Sequence, residues 1–179
     1  LSKDHDFKVC TDNITDEQRY RSFDQELVLR FFAFRNYGSH FKHDVSDFLT
    51  EYMEGVSEPD VERQISFAYE AEKAVFKKTF ELLAKTLKEL AFAYANKKGD
   101  ALVKGFSVYH YEALTVGLQK HISKIDLKDK AQLGRIQTGL EALKKEEDFR
   151  KLTSGGGKNS SGQFKKRVEY VSKAVAKML

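Results

Sequence analysis

The segment Leu27-Val28-Leu29-Arg30-Phe31-Phe32-Ala33-Phe34 constrains this chain more than any other, because seven of its eight residues are apolar. At helical spacing Leu27, Phe31 and Phe34 share one face, with Val28 and Phe32 beside it. A helix that is apolar over most of its circumference belongs at the centre of a protein, with other elements wrapped around it. Ser22 with Gln25 three residues on has the pattern of a capping box, and Gly38 is placed to end the helix. The spacing therefore predicts a central helix over 23–36. Arg30 interrupts the run four residues after Glu26, a separation that lets the two pair along the helix surface.

Other segments supply the wrapping. Asp44 is placed to cap a helix carrying Val45, Phe48, Leu49, Tyr52 and Met53, with Gly55 at its end. Ser57 followed by Pro59 reads as another helix start. Val61, Ile65 and Ala68 form a short stripe, interrupted by Glu72. Phe76, Phe80, Leu83, Leu87, Leu90 and Tyr94 then recur at steps of four and three, the spacing of one packed helix face. No Gly or Pro follows Pro59 until Gly99, so one long helix, or two with a break near 70–73, is expected. Gly99 and Gly105 bracket a loop. Val108, Tyr111, Leu114, Leu118 and Ile122 mark a further helix. Leu133, Ile136, Leu140 and Leu143 mark another, with a turn carrying Phe149 behind it. Phe164, Val168, Val171, Val175 and Met178 line a terminal helix. Residues 1–21 are polar and mixed and read as a short helix or an extended lead-in.

The fold class that follows is all-α: an irregular bundle of about six helices around a Phe-rich central helix, forming a single domain over 1–179. The fourteen Phe are expected in the core rather than on a ligand platform. At 179 residues such a domain buries roughly 70% of its unfolded surface and needs no staple. Cys10 is the single cysteine, which excludes an internal disulfide and any multi-cysteine zinc site; it reads as a plain thiol. No apolar run approaches the roughly 20 residues of a membrane span, so a cytoplasmic protein without a membrane partner is expected. A first residue of Leu rather than Met leads us to expect a piece of a larger protein.

Charge is unevenly placed. The net charge is +4. Residues 151–179 hold seven Lys or Arg against one acid, Glu169, a local balance of +6, and the other 150 residues carry −2. Residues 153–162 contain four Gly and three Ser and read as a flexible loop ahead of a basic C-terminal helix. Lysines kept on a solvated face for solubility would explain this pattern. So would a surface for phosphate groups, formed by Lys158, Lys165, Lys166 and Arg167. The stretch Ser154-Gly155-Gly156-Gly157-Lys158 is no Walker A loop, since Leu152 stands five before Gly157 and no strand precedes it. Backbone amides of a Gly-rich turn before a helix can nevertheless hold an anion.

Two further clusters contain groups capable of chemistry. Arg35 and His40 form an R-x4-H pattern that resembles the signature of HEPN-type ribonucleases. That resemblance implies cleavage of RNA by its own 2′-hydroxyl, assisted by Arg35 and His40 from paired subunits. His40, His43, Asp44 and Asp47 are suitable metal-ligand types, but their spacing matches no recognised framework and Asp44 is needed as a helix cap. No metal and no cofactor are expected.

A broader resemblance rests on Asp24-Gln25-Glu26-Leu27-Val28-Leu29-Arg30-Phe31-Phe32-Ala33-Phe34, on Tyr37, and on Phe48-Leu49-Thr50-Glu51-Tyr52-Met53. Phe76 and Phe80 are compatible with it, as is Thr153-Ser154 followed by a stretch ending in Arg167. Together these segments are similar to the helical part of the GmrSD-type, ParB/sulfiredoxin-like family (domain of unknown function 262). The resemblance implies an accessory helical region beside a nucleotidase-like α/β domain, in proteins that restrict modified or foreign DNA. The family's DGQQR motif and its His-Asn-His nuclease pattern are absent from this sequence, so the resemblance supplies no catalytic residue. The expectation is a non-catalytic helical domain of a restriction or phage-defence-associated protein that contacts nucleic acid. The alternatives are a HEPN-like ribonuclease and a plain protein-interaction module.

Overall fold

The computed structural model describes residues 1–58 and 64–179. Among these it contains nine α-helices and one two-stranded hairpin, an all-α fold as expected. The helices are α1 (His5–Cys10), α2 (Asp16–Tyr20), α3 (Phe23–Tyr37), α4 (Val45–Ser57), α5 (Tyr69–Thr86), α6 (Val108–Gly117), α7 (Lys130–Lys145), α8 (Glu147–Thr153) and α9 (Ser161–Ala176). No helix among the described residues is long and apolar enough to cross a membrane.

The Phe-rich helix is α3, and Leu27, Phe31, Phe32, Ala33 and Phe34 are all buried. It shares the centre with α6, in which every residue from His110 to Thr115 is buried. The Tyr111 hydroxyl donates to the Leu27 carbonyl at 2.6 Å and ties the two helices together. Eleven of the fourteen Phe are buried, and Phe23, Phe67 and Phe106 pack partly buried against the same core. One cluster joins Phe7, Phe31, Phe76 and Phe80, with the Phe76 and Phe80 rings 4.4 Å apart. Another joins Phe34, Phe41, Phe48 and Phe164, with Phe34 and Phe164 stacked at 4.5 Å. Tilted and edge-on ring pairs of this kind add about 0.5–1.5 kcal/mol each beyond their burial.

Several local expectations are corrected. Ser22 does not cap α3: its backbone is left-handed at φ 60 and its side chain makes no cap bond. The capping box occurs one helix earlier, where Thr15 and Gln18 exchange bonds at the start of α2. Asp44 does cap α4, accepting from the Asp47 amide at 3.0 Å, but the helix continues through Gly55 to Ser57. The expected helix start at Pro59 and the first stripe residue, Val61, lie outside the described residues. The long helix is shorter than its stripe, because α5 begins at Tyr69 and stops at Thr86. Lys88 then takes φ 52, and a 3-10 turn over Lys88–Leu90 leads into the hairpin. In that hairpin β1 (Tyr94–Ala95) pairs antiparallel with β2 (Leu102–Val103), within a segment the sequence suggests is helix and loop. Phe149 lies on a helix, α8, and not on a turn. The N-terminal segment does form a short helix, the first of its two expected readings, and Phe7 and Cys10 of α1 are buried against α5.

α6 and α9 approach closely at Gly117. A Cβ there would stand 2.7 Å from Val171 Cβ and 2.9 Å from the Val168 carbonyl. This contact brings α9 and the Gly-rich loop before it against α6, where most of the chemically capable side chains lie.

Candidate functional site

Four charged side chains form a chain that runs inward from the surface at Glu26. Arg30 of α3 bonds Glu26 one turn earlier, Nε to Oε1 at 2.8 Å, and extends Nη1 to Glu112 Oε1 of α6 at 2.8 Å. The other oxygen of Glu112 accepts from Arg167 Nη2 of α9. One carboxylate is thus held between two guanidinium groups, and the four charges cancel. Glu112 and Arg167 are almost fully buried, at 2% and 1% exposure. Arg167 also donates from Nη1 to the Lys158 carbonyl at 2.8 Å. Its guanidinium lies 5.0 Å from the Tyr109 ring centre and 5.3 Å from that of Phe164. It therefore fastens the Gly-rich loop and α9 onto α6.

Arg167 accordingly does not belong to a surface phosphate patch with Lys158, Lys165 and Lys166. Lys165 and Lys166 are exposed and Lys158 is half-buried, whereas Arg167 points inward. The sequence contained the signal for this. Arg167 stands three residues after Phe164 and four before Val171, on the apolar stripe of its own helix. Glu112 had no such marker, because α6 is apolar all round. The expected pairing of Arg30 with Glu26 is present, and the structure adds Glu112 as the partner that sequence spacing cannot reveal.

Arg35 and His40 go to different neighbours. Arg35 Nη1 meets the Glu72 carboxylate of α5 at 2.5 Å, and Nε donates to Gln119 Oε1 at 3.3 Å. His40 stacks on Tyr37, with ring centres 4.0 Å apart, and contacts the Ser39 hydroxyl. His40, His43, Asp44 and Asp47 line a shallow groove of about 260 Å³ with Lys42, Phe48 and Glu51. Among the described residues no three His, Cys, Asp or Glu side chains come together as a metal site.

A cleft in two compartments lies between the hairpin, the start of α6 and α8. The first compartment, about 500 Å³, is walled by Tyr94, Phe106, Val108 and Tyr109, with His110 and Thr153 beneath. Thr153 gives its own proton to the Phe149 carbonyl at 2.8 Å. His110 Nε2 lies 3.0 Å from the same hydroxyl oxygen. Burial, reinforced by the nearby Lys144 charge, pushes His110 down to about 3, so the ring is neutral near pH 7. The second compartment, about 460 Å³, is lined by Lys98, Lys145, Arg150 and Lys151, with Glu147 among them. Glu147 pairs with Lys151 at 2.7 Å. Arg150 and Ser154 line both compartments. Arg150 Nη2 holds the Lys97 carbonyl at 2.7 Å, and its guanidinium occupies the space beside Gly99, where a Cβ would lie 2.5 Å from Nη1. Gly99 has φ +80, a left-handed conformation that favours glycine there.

Lys144 is the one buried lysine among the described residues. Its ammonium donates to the carbonyls of Leu90 at 2.5 Å and Ala91 at 2.7 Å. Burial brings it down to about 7. It anchors the turn after α5 to α7 and does not line the cleft. No family model, curated protein or solved structure matches this chain.

Proposed function

We propose that this chain is a non-catalytic helical domain of the restriction- or phage-defence-associated kind, working beside a nucleotidase-like domain and contacting nucleic acid. The observation that carries the reading is the division of the charges between interior and surface. Inward, Arg30, Glu112 and the buried Arg167 neutralise one another with Glu26 at the outer end, and Arg35 is held by Glu72 at the edge of the core. Groups fixed in this way hold helices together and are poorly placed to accept or deliver protons in a reaction. Outside, Lys158, Lys165 and Lys166 border the Gly-rich loop and the start of α9, and Lys98, Lys145 and Lys151 border α8. Surface cations of this density suit a polyanion whose sequence is not being read.

The test is a titration of labelled single- and double-stranded DNA and RNA with the whole chain at increasing salt. Binding at low salt that weakens linearly in log affinity against log salt supports the reading. Absence of binding at the lowest salt would sink it and leave a protein-interaction module.

A further inference from the structure

We infer that the two-compartment cleft between the hairpin, α6 and α8 binds a nucleoside phosphate, with the base against Tyr94 and Tyr109 and the phosphate among Lys98, Arg150 and Lys151. The inference rests on the nucleic-acid reading above and gives that reading a site. Each compartment falls within the ~300–1,000 Å³ of small-molecule sites. Their contents differ as the two ends of a nucleotide differ. The first offers aromatic surface: Tyr94 is 45% exposed, and Tyr109 borders the cleft while Arg167 lies over its ring. Its floor, His110 on Thr153, is buried and neutral, which suits an uncharged ring and disfavours a carboxylate. Stacking on such a surface tolerates every base, because every base has a π-face.

The second compartment is cationic. Four basic side chains face one carboxylate, and that carboxylate already has Lys151 as partner. An excess of about three positive charges around one concavity calls for a group with several charged oxygens, as phosphate has. Arg150 is fixed at the junction by its bond to the Lys97 carbonyl, so one cation is positioned before any ligand arrives. The backbone of 155–157 lies beyond Ser154, and nothing stands within 4 Å of where a Cβ would lie on any of its three glycines.

The shared chemistry could come from a free nucleotide or from one unit of a single strand, and the experiment separates them. Whole-chain wild type, Tyr94→Ala, the Lys98→Glu/Lys151→Glu double variant and the Lys165→Glu/Lys166→Glu double variant are each titrated. The probes are a labelled single-stranded oligonucleotide, adenosine monophosphate and inorganic phosphate. All five altered side chains are at the surface, and circular dichroism with thermal melting checks that each variant folds. The expected result is a loss of about tenfold or more in oligonucleotide or nucleotide affinity for Tyr94→Ala and for the Lys98/Lys151 variant. Tyr94→Ala leaves phosphate affinity unchanged. Equal binding of monophosphate and oligonucleotide assigns a free nucleotide, and binding of the oligonucleotide alone assigns a strand. Oligonucleotide binding lost only in the Lys165/Lys166 variant overturns the cleft and leaves the nucleic-acid reading standing. Monophosphate binding at the cleft without any binding of DNA or RNA overturns that reading and keeps the cleft. No binding of any probe overturns both.

Discussion

Glu112 sits between two guanidinium groups, and it is the only carboxylate paired with Arg167, whereas Arg30 also holds Glu26. A buried ion pair is weakly stabilising as a whole, since desolvation offsets most of the attraction, but removing one partner leaves a bare charge in the interior. Glu112→Gln is therefore expected to cost about 3–5 kcal/mol in urea unfolding. Combining Glu112→Leu with Arg167→Met is expected to be less damaging than Glu112→Leu alone, because Arg30 keeps Glu26 and no unpaired arginine remains. A second prediction concerns His110, whose native value of about 3 lies below its ordinary 6.5. Between those limits the unfolded chain takes up a proton that the folded chain refuses, so stability falls as the pH falls from 6.5 towards 3. Urea midpoints at pH 7 and pH 4.5 should differ more for wild type than for His110→Gln. Lys144, at about 7 against an ordinary 10.5, acts with the same sign in a higher window, adding stability as the pH rises from 7 to 10.5. Of these residues the Glu26–Arg30 pair was legible in its spacing, and Arg167 was marked by its place on an apolar stripe. Glu112, His110 and Lys144 are polar side chains on helices whose neighbours are buried, and nothing in their spacing separates them from surface residues.

Elements were legible where side-chain period and backbone agreed. The helices α3, α4, α7 and α9 follow their apolar stripes closely. The stripe from Phe76 to Tyr94 shows the limit. Leu87, the residue that closes α5, is still buried, but beyond it Leu90 is half-buried on a 3-10 turn and Tyr94 is 45% exposed on β1. Periodicity therefore reports the buried side only as far as the helix runs, and it does not report where the helix stops. α1 was harder to read for the opposite reason: Phe7 and Cys10 are only two buried positions in a six-residue helix, too few for a pattern. A third prediction belongs to helix contacts. Gly117→Ala drives a Cβ into Val171 and the Val168 backbone and should cost about 1–3 kcal/mol. Gly139→Ala meets the Met178 side chain first, which has three rotatable bonds and can move aside. Thermal melts of the two variants should differ, with Gly117→Ala much the lower.

Over the whole molecule, the aromatic core and the all-α class followed from composition and spacing, while the cleft did not. Its walls come from 94–110 and from 145–154, stretches brought together by the packing of α6, α7 and α8, and helical period within one segment cannot report such a meeting. The Gly-rich loop drew notice as a place for an anion, but the structure turns Arg167 inward and sets Lys98, Lys145 and Arg150 beside that loop's entrance instead. The docking of α1 on α5 has a practical outcome. Cys10 is the only sulfhydryl in the chain, is 1% exposed and contacts the Phe80 carbonyl at 3.7 Å; burial raises its pKa and keeps it protonated. A thiol-specific dye added in excess thus has one target and reaches it only when the first helix detaches, so the labelling rate clocks that local opening separately from global unfolding. Slow modification in buffer and fast modification in urea are expected, and prompt modification in buffer would mean that the N-terminal helix does not cover its thiol.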